Sequence, residues 1–193
     1  MNKLKIITST TRPERQGIAL ATWVADYVSN KSDFDSELLD LAEIGLPLLD
    51  EPKHPRLKEY THDHTRKWSA KIGQADAFVI VLGEYNHGYP APIKNAIDFL
   101  FHEWRHKPVG FVSYGGVSGG MRSMQMLKPT ITALSMMPLA ESVSIPNFAR
   151  HIDQHGVFQG YELLEKSMDV MLKELARWSE ALKSIRVKEK APA

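Results

Sequence analysis

Short apolar runs alternate along the chain with longer segments whose apolar residues recur every three or four positions. Residues 4–8, 37–41, 77–82, 109–113 and 140–145 have the length and apolar density of buried strands, the last closed by Pro146. Residues 17–29 set Leu20, Trp23, Val24 and Tyr27 on one helical face, and residues 92–101 and 121–135 read as further helices. A long last helix, 161–182, carries Leu164, Met168, Met171, Leu175, Trp178 and Leu182 on one face. Strands alternating with helices predict βαβ units around a parallel sheet, the α/β class. Residues 46–64 hold Pro47, Pro52 and Pro55 and read as a long connection, of the kind that is often functional. No internal repeat or linker interrupts 1–185, which are expected to form one domain, while the charged stretch 186–193 is expected to be a disordered tail.

Composition narrows the function classes. A chain of 193 residues with 43% hydrophobic content has enough material for a full core. Lysine plus arginine number 24 against 23 acidic residues, which argues against nucleic acid as a partner because that would call for a basic excess. The absence of cysteine excludes disulfides, thiolate catalysis and iron–sulfur clusters. Without a signal-peptide pattern or a bilayer-length apolar run, the expectation is a soluble cytoplasmic domain with no membrane partner.

Three loops at strand ends carry the candidate chemistry. After the first strand comes Thr8-Ser9-Thr10-Thr11-Arg12-Pro13-Glu14-Arg15-Gln16-Gly17-Ile18. A hydroxyl-rich loop leading into a helix N-terminus suits an anion, since free backbone N–H groups and the positive helix end face it. Ser9 and Thr11 can donate hydroxyl protons, Arg12 can pair bidentately with a phosphate, Gln16 can bond its edge, and Gly17 permits close approach. After the third strand, Gly83-Glu84-Tyr85-Asn86-His87-Gly88-Tyr89-Pro90-Ala91-Pro92 offers an aromatic face and polar groups suited to a flat heterocycle. After the fourth comes Tyr114-Gly115-Gly116-Val117-Ser118-Gly119-Gly120, whose glycines let backbone pass close to a flat ligand.

Together these motifs resemble the NADPH-dependent FMN reductase family. The family pattern is close to PEYNxSxPxxLKNAID where this chain has Gly83 to Asp98, with Gly83 in place of the usual Pro and Gly88 in place of the frequent Ser. Its phosphate loop, Ser-x-Thr-Arg-Pro-x-Arg-x-Gly, and its Ser-Tyr-Gly-Gly-x-Ser-Gly-Gly segment also have counterparts here, so the resemblance covers roughly residues 4–150. It implies a flavodoxin-like three-layer fold with a five-stranded parallel sheet of order 2-1-3-4-5. It also implies an FMN-dependent NAD(P)H oxidoreductase that passes hydride through FMN to a quinone, azo, flavin or similar acceptor. The implied FMN positions are Ser9, Thr11, Arg12, Gln16, Gly17 and Ile18 at the phosphate, Glu84, Tyr85, Asn86 and His87 around the ring, and Ser113, Gly115 and Gly116 at its pyrimidine side. No dedicated acid–base residue is expected, although His87 is a candidate proton relay. Arg15 or Arg122 is a candidate for favouring NADPH over NADH through the 2′-phosphate. A homodimer or homotetramer is implied, with Phe101, Trp104 and the exposed side of residues 92–104 as the expected contact.

Rival readings are weaker. A flavodoxin-type electron carrier without NAD(P)H activity would be strongly acidic and would lack Arg12 and Arg15 in its phosphate loop. Gly116-x-Ser118-x-Gly120, followed by Asp153 and His155, fits the order of a serine esterase, but that reading leaves the first two loops unexplained. His102-Glu103-Trp104-Arg105-His106 matches H-E-x-x-H literally, yet Pro108 ends any helix there, and no metal is expected. The pair His151 and His155 is expected at a surface or subunit contact. Lys94 and Asp98 are expected to pair with each other, and the methionines Met121, Met124, Met126, Met136 and Met137 to serve packing.

Overall fold

The computed structural model describes residues 1–190. Five strands, β1 (Lys3–Thr8), β2 (Asp35–Leu39), β3 (Ala77–Gly83), β4 (Pro108–Tyr114) and β5 (Met137–Ile145), form one sheet of order β2-β1-β3-β4-β5. Every neighbouring pair is parallel, with Ile6 of β1 opposite both Leu38 and Val79. All seven residues of β3 are buried, as a central strand covered on both faces requires.

Alternation along β3 divides the core into two layers. Ala77, Val79 and Val81 face α1 (Gly17–Lys31) and α6 (Glu162–Lys190), where Leu20, Val24, Met168 and Leu175 pack. Phe78, Ile80 and Leu82 face the other side, against Trp68 of α3 (Asp63–Gly73), Ile93 of α4 (Ala91–Asp98) and Leu127 of α5 (Met121–Ala133). Burying each large side chain contributes roughly 1.5–3 kcal/mol, so the two layers together hold the sheet rigid under its loops.

Several boundaries differ from the sequence pattern. Asp40 ends β2 early because its carboxylate caps α2 (Leu41–Ile44), accepting from the Ala42 N–H at 3.0 Å. Helix α3 was not expected at all. It buries only Thr65, Trp68 and Ile72, too few for its polar sequence to show a clear period. Trp104, expected at a subunit contact, is buried instead, donating to the Ile97 carbonyl at 3.1 Å and packing on Phe78 and Trp68. Met124 and Met136 do pack in the core, whereas Met121 and Met126 are exposed. Trp178 also lies outside the face it was expected to share with Met171 and Leu175. Finally, α6 runs past the expected tail boundary to Lys190, and the Arg186 guanidinium binds the His106 carbonyl at 2.8 Å and Asp76 at 3.1 Å. Residues 191–193 of that expected tail lie outside the described residues.

Candidate active site

The loops after β1, β3 and β4 meet at the carboxyl ends of the strands, the edge where ligands gather in open α/β sheets. The first loop runs into α1, a helix of 15 residues with no side-chain cap and no acidic residue in its first turn. The Ala19 N–H reaches the Gln16 carbonyl at 3.1 Å, but the Gly17 and Ile18 N–H groups have no acceptor among the described residues, as an anion site requires. Thr11, Arg12 and Gln16 are exposed on this loop, Gly17 is buried at the helix start, and Ile18 is half-buried against the core. Arg12 has no carboxylate partner among the described residues.

Other residues of this loop are used to build it. The Ser9 hydroxyl accepts from the Gly83 N–H at 3.0 Å, and the Ser9 N–H donates to the Val81 carbonyl at 3.1 Å. Its buried side chain therefore joins the first loop to β3, and that bond uses the hydroxyl oxygen as acceptor and leaves its proton uncommitted. Arg15 pairs with Asp40, whose other oxygen accepts from the Thr8 hydroxyl at 2.9 Å. Arg15 Nε is buried without a hydrogen-bond partner, a polar atom left over beside a loop suited to an anion.

Tyr114 and Thr10 stand out beneath this loop. The Tyr114 hydroxyl lies 3.3 Å from the Thr10 hydroxyl, and its ring tilts against Phe148 at 4.6 Å. A side chain on Gly17 would collide with that hydroxyl and come within 3.0 Å of Thr10 Oγ1. Burial raises the Tyr114 hydroxyl above its usual pKa, opposed by the Thr10 bond and the Arg15 and Arg12 charges. Both residues lay inside quoted motifs, but no feature of type or spacing marked them as the link between two loops.

In the second loop, Tyr85 and Gly88 exchange backbone hydrogen bonds of 2.9 Å each, closing a two-residue turn. Asn86 and His87 occupy it with φ of 48° and 67°, left-handed geometry that suits asparagine and histidine better than most residues. Tyr85, Asn86 and His87 are all exposed at this edge.

Glu84 turns the opposite way. Its side chain is only 8% exposed and binds the Ser118 hydroxyl at 2.9 Å, Arg122 Nη1 at 3.1 Å and the Arg122 N–H at 3.2 Å. Burial alone would raise its pKa, but the bonds from Ser118, Ser123 and Arg122 outweigh it and lower the value. Glu84 thus caps α5 from another loop, since Gly120 supplies no side chain for the purpose. The same bond places a carboxylate, and no histidine, on Ser118, while Asp153 is spent on the backbone N–H groups of His155 and Val157. That arrangement does not assemble a serine-hydrolase triad.

The third loop is tightly folded. The Ser113 hydroxyl donates to the Gly119 carbonyl at 2.8 Å, and Gly115 N–H to Ile145 carbonyl at 3.3 Å, so neither offers that group to a ligand. Gly116 does: its N–H has no internal acceptor among the described residues, and a Cβ built there meets nothing within 4 Å. Beside it opens a cleft of about 400 Å³ lined by Tyr85, Tyr114, Gly115, Gly116, Asn147, Phe148 and Arg150. A larger cleft of about 820 Å³ lies at the amino ends of the strands around Asn2 and Phe34, away from all three loops. Sequence reasoning missed Asn147 to Arg150, which carry no motif.

The literal H-E-x-x-H segment folds as turns. Glu103 is buried there, accepting from the Tyr60 hydroxyl at 3.0 Å and the Ser69 hydroxyl at 2.6 Å. His151 stacks on Tyr161 at 4.8 Å, and Lys94 pairs with Asp98 at 2.5 Å.

An uncapped helix start with an exposed arginine, an exposed tyrosine turn and an open glycine N–H sit on loops at the carboxyl edge of a doubly wound, flavodoxin-like domain, the edge where such folds take their ligands. The comparisons agree with that class. The family model described as NADPH-dependent FMN reductase matches residues 2–150, and the chain belongs to that oxidoreductase family. It is 40% identical over 146 residues to an NAD(P)H-dependent FMN reductase of Schizosaccharomyces pombe, covering 69% of this chain and 73% of that protein. A second NAD(P)H-dependent FMN reductase, from Nectria sp, is 32% identical over 187 residues, covering 94% of this chain and 89% of that protein. The flavoenzyme NAD(P)H:(acceptor) oxidoreductase FerB from Paracoccus denitrificans superposes with a TM-score of 0.74 over 94% of this chain and 98% of that one. Its 20% identity makes it a match of fold.

Proposed function

We propose that this enzyme holds FMN across its three carboxyl-end loops, takes electrons from NAD(P)H and delivers them to a small quinone, azo or flavin acceptor. The single observation that carries the reading is the uncapped start of α1 beside Arg12, in line with the open Gly116 N–H and the Tyr85 turn. The residues present fit the cofactor: a dianionic phosphate would satisfy the Gly17 and Ile18 N–H groups, which have no acceptor among the described residues. Bound FMN supplies the ability to accept hydride from a nicotinamide and return electrons to an acceptor.

The chain supplies position and field. Thr11, Arg12 and the first N–H groups of α1 neutralise the phosphate, while Asp40 pairs with Arg15 and offsets its charge, so that Arg15 serves to hold the loop in shape. Tyr114 fixes the distance between the phosphate loop and the ring loops, and Gly116 offers its N–H to a carbonyl edge. Tyr85 presents an exposed aromatic face, and His87 on the same turn is the side chain able to hand a proton to the acceptor. Arg15 and Arg122 are each held by a carboxylate, so neither is left to select NADPH. Arg150 lines the cleft and has no carboxylate partner among the described residues, and it takes that role here. The near-balance of 24 basic and 23 acidic residues favours this reading over an acidic electron carrier.

Titrating protein into FMN and following flavin fluorescence tests the site. Arg12→Ala removes a charge-assisted bond of about 1.5–3 kcal/mol and should weaken FMN roughly tenfold or more. Unchanged affinity would remove the phosphate from this loop.

A further inference from the structure

We propose that a basic cleft at the amino ends of β3 and β4, at the opposite end of the strands from the three loops, binds a small organic diphosphate. The cleft encloses about 550 Å³, a size suited to a small molecule. Its walls come from the turn between α3 and β3, from residues 56–58, from the segment ahead of β4 and from Arg186 of α6. With a rise of about 3.3 Å per residue, β3 separates it from the candidate FMN edge by about 20 Å.

Charge sets this cleft apart. Arg56, Lys58, Arg105, Lys107 and Arg186 line it against two carboxylates, Asp76 and Glu103, a local excess of three in a chain whose formal net charge is +1. Both carboxylates are already engaged. Glu103 accepts from Tyr60 and Ser69, while Asp76 accepts from the Lys3 N–H at 2.9 Å and from Arg186 at 3.1 Å. Lys107 is buried, and its Nζ donates to the Ile72 carbonyl at 2.8 Å, which fixes the ammonium at the cleft wall. Arg56 and Arg105 converge on one ring, their guanidinium carbons 4.6 and 5.9 Å from the Phe101 centroid. Arg56 pairs with no carboxylate among the described residues, and Lys58 comes only within 3.9 Å of Glu103. Lys58 also closes the turn 55–57 with φ of 56°, left-handed geometry that glycine or asparagine adopts with less strain. The strain is accepted at a position that holds an ammonium group on the rim.

The ligand class follows from these groups. Guanidinium forks take two oxygens of one phosphoryl group, and ammonium groups add point charges. Arg56 and Arg105 at Phe101 form one anchor. Lys107 and Arg186, held on the carbonyls of Ile72 and His106, form a second. Two anchors suit two linked phosphoryl groups better than one. Leu57, 58% exposed beside Arg56, offers apolar surface to the organic part.

Isothermal titration calorimetry of the full chain in excess FMN, with pyrophosphate as the probe, should show one site at least tenfold tighter than for inorganic phosphate. Arg56→Ala should weaken pyrophosphate at least tenfold, and adding Lys58→Ala should weaken it further, while circular dichroism and FMN binding stay unchanged. Arg12→Ala, at the other end of the strands, should leave pyrophosphate affinity as it was. Amide NMR shifts on adding pyrophosphate should fall at residues 73–76 and 102–107. Absence of binding, or equal affinity for the two anions, would overturn the proposal. So would binding that Arg12→Ala abolishes and Arg56→Ala leaves intact, or shifts confined to residues 9–18, since either would place the anion in the first loop.

Discussion

Tyr114 shows how one side chain joins two ends of the site. Its hydroxyl occupies the space left by Gly17 and Gly83, so the phosphate loop and the ring loops cannot shift independently. Gly17→Ala should overpack that contact and cost about 1–3 kcal/mol, seen as a lower thermal midpoint. Gly116→Ala, with open space around its Cβ, should change stability by less than about 0.5 kcal/mol yet reduce FMN affinity, because the added methyl stands where the ring edge would lie. If both variants behaved alike, the assignment of one to packing and the other to ligand would fail. Arg150→Ala should raise the KM for NADPH roughly tenfold or more and leave that for NADH unchanged, since only NADPH carries the 2′-phosphate. Residue types made the exposed part of the candidate site legible only as far as exposure goes: Thr11, Arg12, Gln16, Tyr85 and Gly116 are all exposed on the carboxyl-end loops. The inward roles of Ser9, Glu84 and Ser113 were not legible, because a polar side chain in a motif serves the loop's own backbone as readily as a ligand.

At the scale of elements, the long connection before α3 is tied down more firmly than its prolines suggest. The Asn95 side chain donates to the Pro47 carbonyl at 2.7 Å and accepts from the Leu49 N–H at 2.9 Å. Glu51 accepts from the Thr61 and His62 N–H groups at 2.8 and 3.0 Å, just ahead of α3. Burial would raise the Glu51 pKa, but the bonds from the Thr61 and His62 N–H groups bring it down to about 2 from 4.5. A depressed carboxyl pKa stabilises the fold above pH 4.5, and that contribution is lost as the pH falls towards 2. Glu51→Gln should therefore lower the melting temperature at neutral pH and have little effect near pH 2. An equal drop at both would show that the carboxylate charge is not the cause. Helix α3 escaped the sequence pattern for the same physical reason that this connection holds: it is secured by polar bonds to neighbours distant in sequence, and only Trp68 and Ile72 mark its apolar side.

For the molecule as a whole, the sheet order was the most legible feature. Five apolar runs separated by helical segments permit few right-handed parallel arrangements, and β3, buried on both faces, belongs at the centre. The register break between Val109 and Phe111 opposite β5 and the cap that shortens β2 had no such signal, since each depends on contacts across the sheet. The central claim is that this sheet edge binds FMN and lets NAD(P)H reduce it. The most direct measurement is the visible absorbance of purified protein, reconstituted with FMN and kept anaerobic, before and after one equivalent of NADPH. Protein-bound flavin bands that bleach on addition, and return with a quinone, are the expected result. Failure to retain any flavin, or bound flavin that NADPH leaves oxidised, would contradict the account.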